Sequence, residues 1–174
     1  MSSSANPRKR AGEQPPQQNL AAALSWIPAG LFVLTARHEE RRAGLVTSLV
    51  QRACDQPPML CLAVAKGTPI MPLISESRQF GLCQLGEDDR LLLRKFSREF
   101  DPGEDPFLGF ELRESKLPGL PLLAHCFAHF ECELTCHLDV EGDHDLFVGT
   151  VRAGHWRGDG KPWVYLGDDG QARG

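Results

Sequence analysis

Residues 44–54 read GLVTSLVQRAC, and the arrangement of the rest of the chain follows from this stretch. It lies between two apolar runs, residues 31–35 (LFVLT) and residues 59–64 (MLCLAV), whose length and composition are typical of β-strands. The stretch itself combines small, hydroxyl-bearing and apolar side chains. We therefore interpret it as a strand followed by a turn, lying between two further strands.

The composition is that of an ordinary globular domain. A length of 174 residues suits one domain, and 41% hydrophobic with 24% charged residues is usual for a soluble protein. The net charge of −4 gives no general attraction to nucleic acid or to an anionic membrane. No apolar run approaches the roughly 20 residues of a membrane span. Residues 1–19 are rich in Ser, Pro, Gln and charge, so we expect a disordered tail before one domain over residues 20–174.

The cysteines indicate a cellular compartment. There are six of them without a CxxC pair, and the N-terminal residues are not followed by the apolar segment of a secretory signal. Both features predict reduced thiols in a cytoplasmic protein.

The pattern of apolar residues predicts a mainly β fold with short inserted helices. Strands are predicted at residues 31–35, 43–50, 59–65, 79–85, 127–139, 144–153 and 162–166. One helix is expected from Thr68 to residue 77 and another from Asp88 to Phe96, with Thr68 and Asp88 as caps. Residues 51–58 are expected to be a connection that ends at two prolines. Because helices do not regularly separate the strands, an antiparallel barrel is favoured over a doubly wound sheet.

Residues 127–139 alternate strictly between apolar and polar side chains, as in a half-buried strand. One predicted face carries Ala128, Phe130, Cys132, Leu134, Cys136 and Leu138, and the other carries His129, Glu131, Glu133, Thr135, His137 and Asp139. The cysteines and histidines would then lie on opposite faces. Since such ligands cannot close a tetrahedral zinc site, we expect no metal centre here.

Three further segments contain residue types that can take part in catalysis or ligand binding. Ser48 lacks the G-x-S-x-G turn of a serine nucleophile, so no catalytic side chain is assigned. Lys66-Gly67-Thr68 stands between a strand and a helix N-terminus and suits a phosphate group, although an ordinary capped helix explains it equally well. Residues 97–120 are rich in Pro and Gly and too long for an idle connection, so they predict a functional loop.

Six segments together carry a resemblance to a known family. They are GLFVLT (30–35), AGLVTS (43–48), DQPP (55–58), AVAK (63–66), FGLCQL (80–85) and GDHDLFVG (142–149). In this order and spacing, over about residues 20–167, the chain resembles the flavin reductase-like FMN-binding split barrels. Within that family it is similar to the flavoredoxins and to the reductase modules of diflavin flavoproteins.

The resemblance implies an antiparallel Greek-key split barrel that forms a homodimer and binds FMN without a covalent bond. It implies that Val46, Thr47, Ser48 and Leu49 line the isoalloxazine ring, that Ala65, Lys66, Gly67 and Thr68 approach the phosphate, and that Cys83, His144 and Phe147 lie near the flavin. It also implies NAD(P)H:flavin oxidoreductase activity or electron transfer to a partner protein. Since flavin performs the redox chemistry, the lack of a catalytic triad agrees with this expectation.

Three positions depart from the family pattern. Cys83 stands where Asn is usual, Cys54 stands where a hydroxyl residue is common, and Pro106 precedes Phe107 where a basic residue is common. The first and third departures motivate an alternative, a non-catalytic FMN-binding split barrel without productive NAD(P)H oxidation. A pyridoxamine-oxidase-like enzyme is disfavoured, because no basic cluster of the kind that binds pyridoxal phosphate is visible in the sequence.

Overall fold

The computed structural model describes residues 16–166, in which β-strands dominate. The helices are α1 (Pro16–Ser25), α2 (Ile70–Ser77) and α3 (Arg90–Phe96). The strands are β1 (Ala29–Gly30), β2 (Phe32–His38), β3 (Arg41–Thr47), β4 (Val50–Asp55), β5 (Pro58–Ala65), β6 (Gln79–Gln84), β7 (Leu112–Arg113), β8 (Leu122–Leu123), β9 (Ala128–Asp139), β10 (His144–Trp156) and β11 (Val164–Tyr165). Residues 1–15 of the expected tail lie outside the described residues, whereas residues 16–19 belong to α1. Within residues 16–166, no helix combines the length and apolar character needed to cross a membrane.

Seven strands form one antiparallel sheet in the order β3-β2-β6-β9-β10-β5-β4. The two edge strands, β3 and β4, are consecutive in the chain and are separated only by Ser48 and Leu49. In a flat sheet these edges would be about 29 Å apart, at roughly 4.8 Å per strand. The three residue steps from Thr47 to Val50 reach at most about 11 Å. The sheet must therefore curl until its edges meet, which confirms the predicted split barrel.

The strand β4 corrects the predicted connection at residues 51–58. Residues 50–55 pair with β5, with Val50 opposite Leu62 and Asp55 opposite Pro58. The prediction was wrong because the polar residues between Val50 and the prolines suggested a loop. They are polar because β4 is an edge strand with most of its side chains in solvent, where an alternating apolar pattern is not needed.

Two apolar clusters lie on opposite faces of the central strands. Leu34 and Leu82 belong to the barrel core, together with residues of α2 and Phe147. Val33 and Cys83, their neighbours along the chain, belong to a second cluster that α3 and residues 97–123 cover from outside the barrel. Since both faces of β2 and β6 are buried, these strands form the rigid centre of the domain.

A β-bulge in β9 breaks the alternation that the sequence predicts. The register between β9 and β10 shifts between Leu134 and Cys136, which pair with the consecutive residues Gly149 and Val148, so that Thr135 is an extra residue. Beyond the bulge the faces exchange. His137 stacks on the buried Phe147 ring at 4.2 Å, while Leu138 is 49% exposed. The predicted orientation was therefore right as far as Leu134 and wrong for His137 and Leu138.

Both helix starts differ from the predicted caps. Pro69 precedes the first residue of α2, and the Thr68 hydroxyl donates to the Ala65 carbonyl oxygen at 2.9 Å instead of capping the helix. Asp89, not Asp88, precedes α3, and its carboxylate accepts a hydrogen bond from the Gly86 N–H at 2.7 Å. In both cases the polar side chain forms a hydrogen bond within the turn before the helix. Thr and Asp favour such turns as well as helix caps, so the sequence does not distinguish the two roles.

Candidate functional site

The junction between β3 and β4 presents small side chains at the place where the sheet edges meet. Thr47 and Ser48 are half-buried, and Leu49 is 50% exposed. The Thr47 hydroxyl accepts a hydrogen bond from the Leu49 N–H at 3.2 Å, which tightens the turn. Among the described residues no hydrogen bond to the Ser48 hydroxyl is present. The junction therefore offers one hydroxyl group that is available to a ligand.

The strand β5 brings a second predicted segment beside this junction. The Leu49 carbonyl oxygen accepts a hydrogen bond from the Ala63 N–H at 3.0 Å. Ala65 lies two residues further along β5, about 7 Å away, and is paired with His144 on β10. The junction, the end of β5 and His144 thus meet at one end of the barrel, although they are far apart in the sequence.

The turn after β5 contains open space and an ion-paired lysine. Gly67 has a φ of +81°, and apart from its chain neighbours no described residue lies within 4 Å of the position that a Cβ would occupy there. The Lys66 Nζ is 2.7 Å from Asp139 Oδ1 and 3.4 Å from Asp145 Oδ1. The hydrogen bond with Asp139 raises the pKa of Lys66. Because two carboxylates already hold this ammonium, the backbone around Gly67 is the better-placed phosphate partner in this segment.

The β9–β10 hairpin places a histidine and a carboxylate beneath this turn. His137 Nε2 lies 2.7 Å from Asp145 Oδ2, and Asp145 is only 7% exposed. The other carboxylate oxygen, Oδ1, faces Lys66 without a well-aligned hydrogen bond. His144 pairs instead with Asp143 at 2.8 Å, a hydrogen bond that lowers the pKa of Asp143. Phe147 is fully buried, so its ring supports this end of the barrel from within the core.

Cys83 lies apart from the other predicted site residues. It is paired with Val33, which is paired with Val46, so one row of the sheet joins Cys83 to Val46 across β2. The side chain is fully buried in the second cluster, where its sulfur accepts a hydrogen bond from the Leu123 N–H at 3.4 Å. The pKa of Cys83 is raised well above its ordinary value. The larger cause is hydrogen bonding with Cys126, and the second cause is burial. The thiol therefore contributes packing and an acceptor for the Leu123 N–H at this position.

The long loop (residues 97–120) is packed down rather than open. Phe107 is 2% exposed, and its ring centroid lies 5.5 Å from that of Phe96 on α3. Glu131, which is 3% exposed, fastens the other end of the loop by accepting three hydrogen bonds. These contacts tie the backbone of the loop to the barrel. That the loop surrounds a site stays a prediction.

Sequence reasoning missed the pairing of His137 with Asp145. The strict alternation in β9 assigned His137 to the face opposite the core, whereas the bulge turns it onto the face of Phe147, where its side chain is still 34% exposed. The concentration of His and Asp residues around the β9–β10 turn was the available signal. Within residues 16–166, no group of three or more His, Cys, Asp or Glu side chains is arranged to hold a metal ion.

Known sequences resemble this chain over most of its length. The family described as "Flavin reductase like domain" matches residues 24–172. Diflavin flavoprotein A 1 of Synechocystis sp. (strain PCC 6803) is 31% identical over 137 residues, which are 78% of this chain and 24% of that protein. The chain therefore spans about a quarter of the length of this curated relative.

Solved structures agree with that match. The NADH:FAD oxidoreductase SgcE6 of Streptomyces globisporus C-1027 has the same fold, with a TM-score of 0.78, 21% identity and coverage of 92% of this chain and 95% of that one. The styrene monooxygenase flavin reductase of Pseudomonas putida S12 is 26% identical, with a TM-score of 0.71 and coverage of 85% and 92%. By its sequence and by its fold, this chain belongs to the flavin reductase-like domain family.

Proposed function

We propose that this chain binds FMN at the end of the barrel where the β3–β4 junction, the turn after β5 and His144 meet. The carrying observation is that Ser48, with its available hydroxyl, and Gly67, with open space around it, lie at the same end of the barrel. Small side chains at the junction permit a flat ring to approach the backbone, and the backbone N–H groups around Gly67 suit a phosphate. These residues fit the group that the family implies.

The proposed activity is hydride transfer from NAD(P)H to flavin, with electrons passed on to an acceptor protein in the cytoplasm. When bound, the flavin supplies the redox chemistry, so no side chain has to act as an acid or base. The chain's own residues would hold and orient the ring. With flavin bound, the Ser48 hydroxyl and neighbouring N–H groups would donate hydrogen bonds that stabilise negative charge in this part of the site. The relatives' printed names, a flavin reductase and a diflavin flavoprotein, support this proposal.

A homodimer is part of the proposal. The segment after α1 exposes Trp26 (62%) and Ile27 (59%), and Trp156 is 59% exposed at the end of β10. Apolar side chains exposed in this number favour a protein–protein contact. A monomeric mass in multi-angle light scattering at micromolar concentration would contradict this part of the proposal.

The site is tested by substituting Ser48. Ser48→Ala removes one hydroxyl, and the loss of one hydrogen bond should weaken FMN binding by roughly 2- to 13-fold. Ser97→Ala is the matched control, because Ser97 is exposed and its hydroxyl donates only to Leu93 within α3. Affinity is measured by the quenching of flavin fluorescence on titration. Full FMN occupancy with complete loss of NAD(P)H oxidation in Ser48→Ala would show that the role assigned to this junction is wrong.

A second candidate function is FMN binding without productive NAD(P)H oxidation. It is favoured by the burial of Cys83 and Phe107. Cys83 is itself a departure from the family pattern, and Phe107 follows another departure, Pro106. Neither side chain is available to a second ligand. Anaerobic titration with NADH and with NADPH separates the two functions. Bleaching of flavin absorbance supports the reductase, whereas a bound flavin that stays oxidised supports the second candidate.

A further inference from the structure

A cavity of about 400 Å³ lies between the β2–β3 hairpin and the long loop, away from the proposed flavin site. Three arginines contribute to its wall, Arg37 from β2, Arg42 from β3 and Arg113 from β7. Glu114 is the one acidic residue in the lining, in a chain whose overall net charge is −4. Positive charge is thus gathered at one concave surface of an acidic protein.

The strand register places two of these arginines directly opposite each other. Arg37 and Arg42 are paired across β2 and β3. Like charges in such a pair destabilise a sheet unless a counter-charge is present. Asp105 supplies one by forming an ion pair with Arg42. Arg37 donates from Nε only to the Glu39 carbonyl oxygen at 2.7 Å.

Two positive charges therefore remain without a carboxylate partner. Within residues 16–166, no Asp or Glu side chain forms an ion pair with Arg37 or with Arg113. The guanidinium of Arg37 is nevertheless held in place, because it packs against Gly119. A Cβ at Gly119, where φ is +71°, would lie only 2.9 Å from Arg37 Nη1. The absence of a side chain at this position is what allows the close approach.

We propose that this cavity is a binding site for a phosphate group, either free phosphate or the phosphate monoester of a small molecule. Guanidinium groups present planar pairs of N–H donors that match phosphate oxygens. The volume lies within the range of about 300–1,000 Å³ for small-molecule sites. Arg42 is five residues before Thr47 on one strand, about 17 Å away, so this site is separate from the proposed flavin site and does not depend on it.

The test is calorimetric titration of the full chain with inorganic phosphate in a buffer free of phosphate and sulfate. The variants are Arg37→Gln, Arg113→Gln and the double variant, with Arg94→Gln on α3 as the control. Arg94 is exposed and lies outside the cavity, so its loss matches the change in net charge. Wild type and Arg94→Gln should bind phosphate equally. Each cavity variant should bind about tenfold more weakly or worse, since each loses charged hydrogen bonds. Arg37→Lys keeps the charge but loses the planar fork, and it should give an intermediate affinity.

Titrations with NADPH and NADH identify the source of the phosphate. Weaker binding of NADPH, but not of NADH, in the double variant would assign the site to the additional phosphate of the dinucleotide. Equal behaviour of the two dinucleotides, with phosphate binding still sensitive to Arg37, would assign it to a free phosphate or another monoester. The proposal is overturned if wild type binds no phosphate, if the double variant binds as wild type does, or if Arg94→Gln is weakened as much. Flavin absorbance, followed in parallel, reports separately on the proposed function.

Discussion

Glu131 offers a direct test of how the long loop is held to the barrel. One carboxylate oxygen, Oε2, accepts hydrogen bonds from Ser115 Oγ at 2.7 Å, from the Lys116 N–H at 2.7 Å and from the Leu117 N–H at 3.0 Å. Glu131 is 3% exposed and lies in the first half of β9. The substitution Glu131→Ala removes all three acceptor contacts at once.

The size of the effect follows from these contacts. Hydrogen bonds to a charged group contribute about 1.5–3 kcal/mol when the donors stay buried. Here the donors lie in a half-buried loop and can bond to water after the substitution, so about 1 kcal/mol for each is the better value. Glu131→Ala should therefore lower the free energy of unfolding by about 3 kcal/mol. Glu131→Gln keeps an acceptor oxygen without the charge, and it should lose roughly half of that amount.

Urea unfolding and amide hydrogen exchange measure the two parts of the prediction. The Lys116 and Leu117 amides should lose protection in Glu131→Ala, since these are the released donors. Glu133→Ala is the control on the same strand, because the Glu133 side chain is 52% exposed and its ion pair is with the equally exposed Arg152. An exposed pair of this kind contributes less than about 1 kcal/mol. Unchanged exchange at residues 116 and 117, or equal destabilisation by the two substitutions, would refute the assigned role of Glu131.

Two further outcomes are expected. Gly149→Ala should lower the free energy of unfolding by about 1–3 kcal/mol, because its Cβ would lie 2.6 Å from the Phe80 ring in the core. Gly142→Ala is its control in thermal unfolding, because among residues 16–166 nothing but the chain neighbours lies within 4 Å of the added Cβ; equal melting temperatures would contradict the packing argument. The hydrogen bond from Arg98 lowers the pKa of Glu104 from 4.5 to about 2. Since this pKa is depressed, the stabilising contribution is complete above pH 4.5 and is lost as the pH falls towards 2. Carboxyl NMR titration should show the pKa of Glu104 rising in Arg98→Gln, and an unchanged value would contradict the assignment.

Most of the fold was predictable because burial follows strand periodicity. The alternation up to Leu134 and the apolar run of β5 both reflect which side chains are buried when the chain folds. The edge strand β4 was not predictable in this way, since its exposed side chains carry no apolar period. The bulge at Thr135 was also not predictable. The sequence alternates between apolar and polar residues through the bulge, whereas the extra residue moves the following side chains to the opposite face of the strand.

The candidate site was predictable only as separate segments. The sequence indicated the β3–β4 junction and the turn after β5 but gave no distance between them. That distance follows from the pairing of β4 and β10 with β5, which is a long-range property of the sheet. The ion pairs of Lys66 and the cavity lined by Arg37 and Arg113 depend on three or more elements meeting, so no local pattern could reveal them.

The two residues between β3 and β4 have a consequence for the mechanics of the barrel. Most barrels are closed by a ladder of hydrogen bonds, which can slip or open one rung at a time. In the seven-stranded sheet of this protein, Ser48 and Leu49 form the covalent link between the two edge strands. The length of this two-residue link therefore limits the distance between β3 and β4 at this point of the barrel. A longer connection between β3 and β4 would let the two edge strands move apart, and a break in this connection would leave an open curved sheet. The proposed ligand contact is thus placed on the one part of the circumference whose width the chain length itself determines.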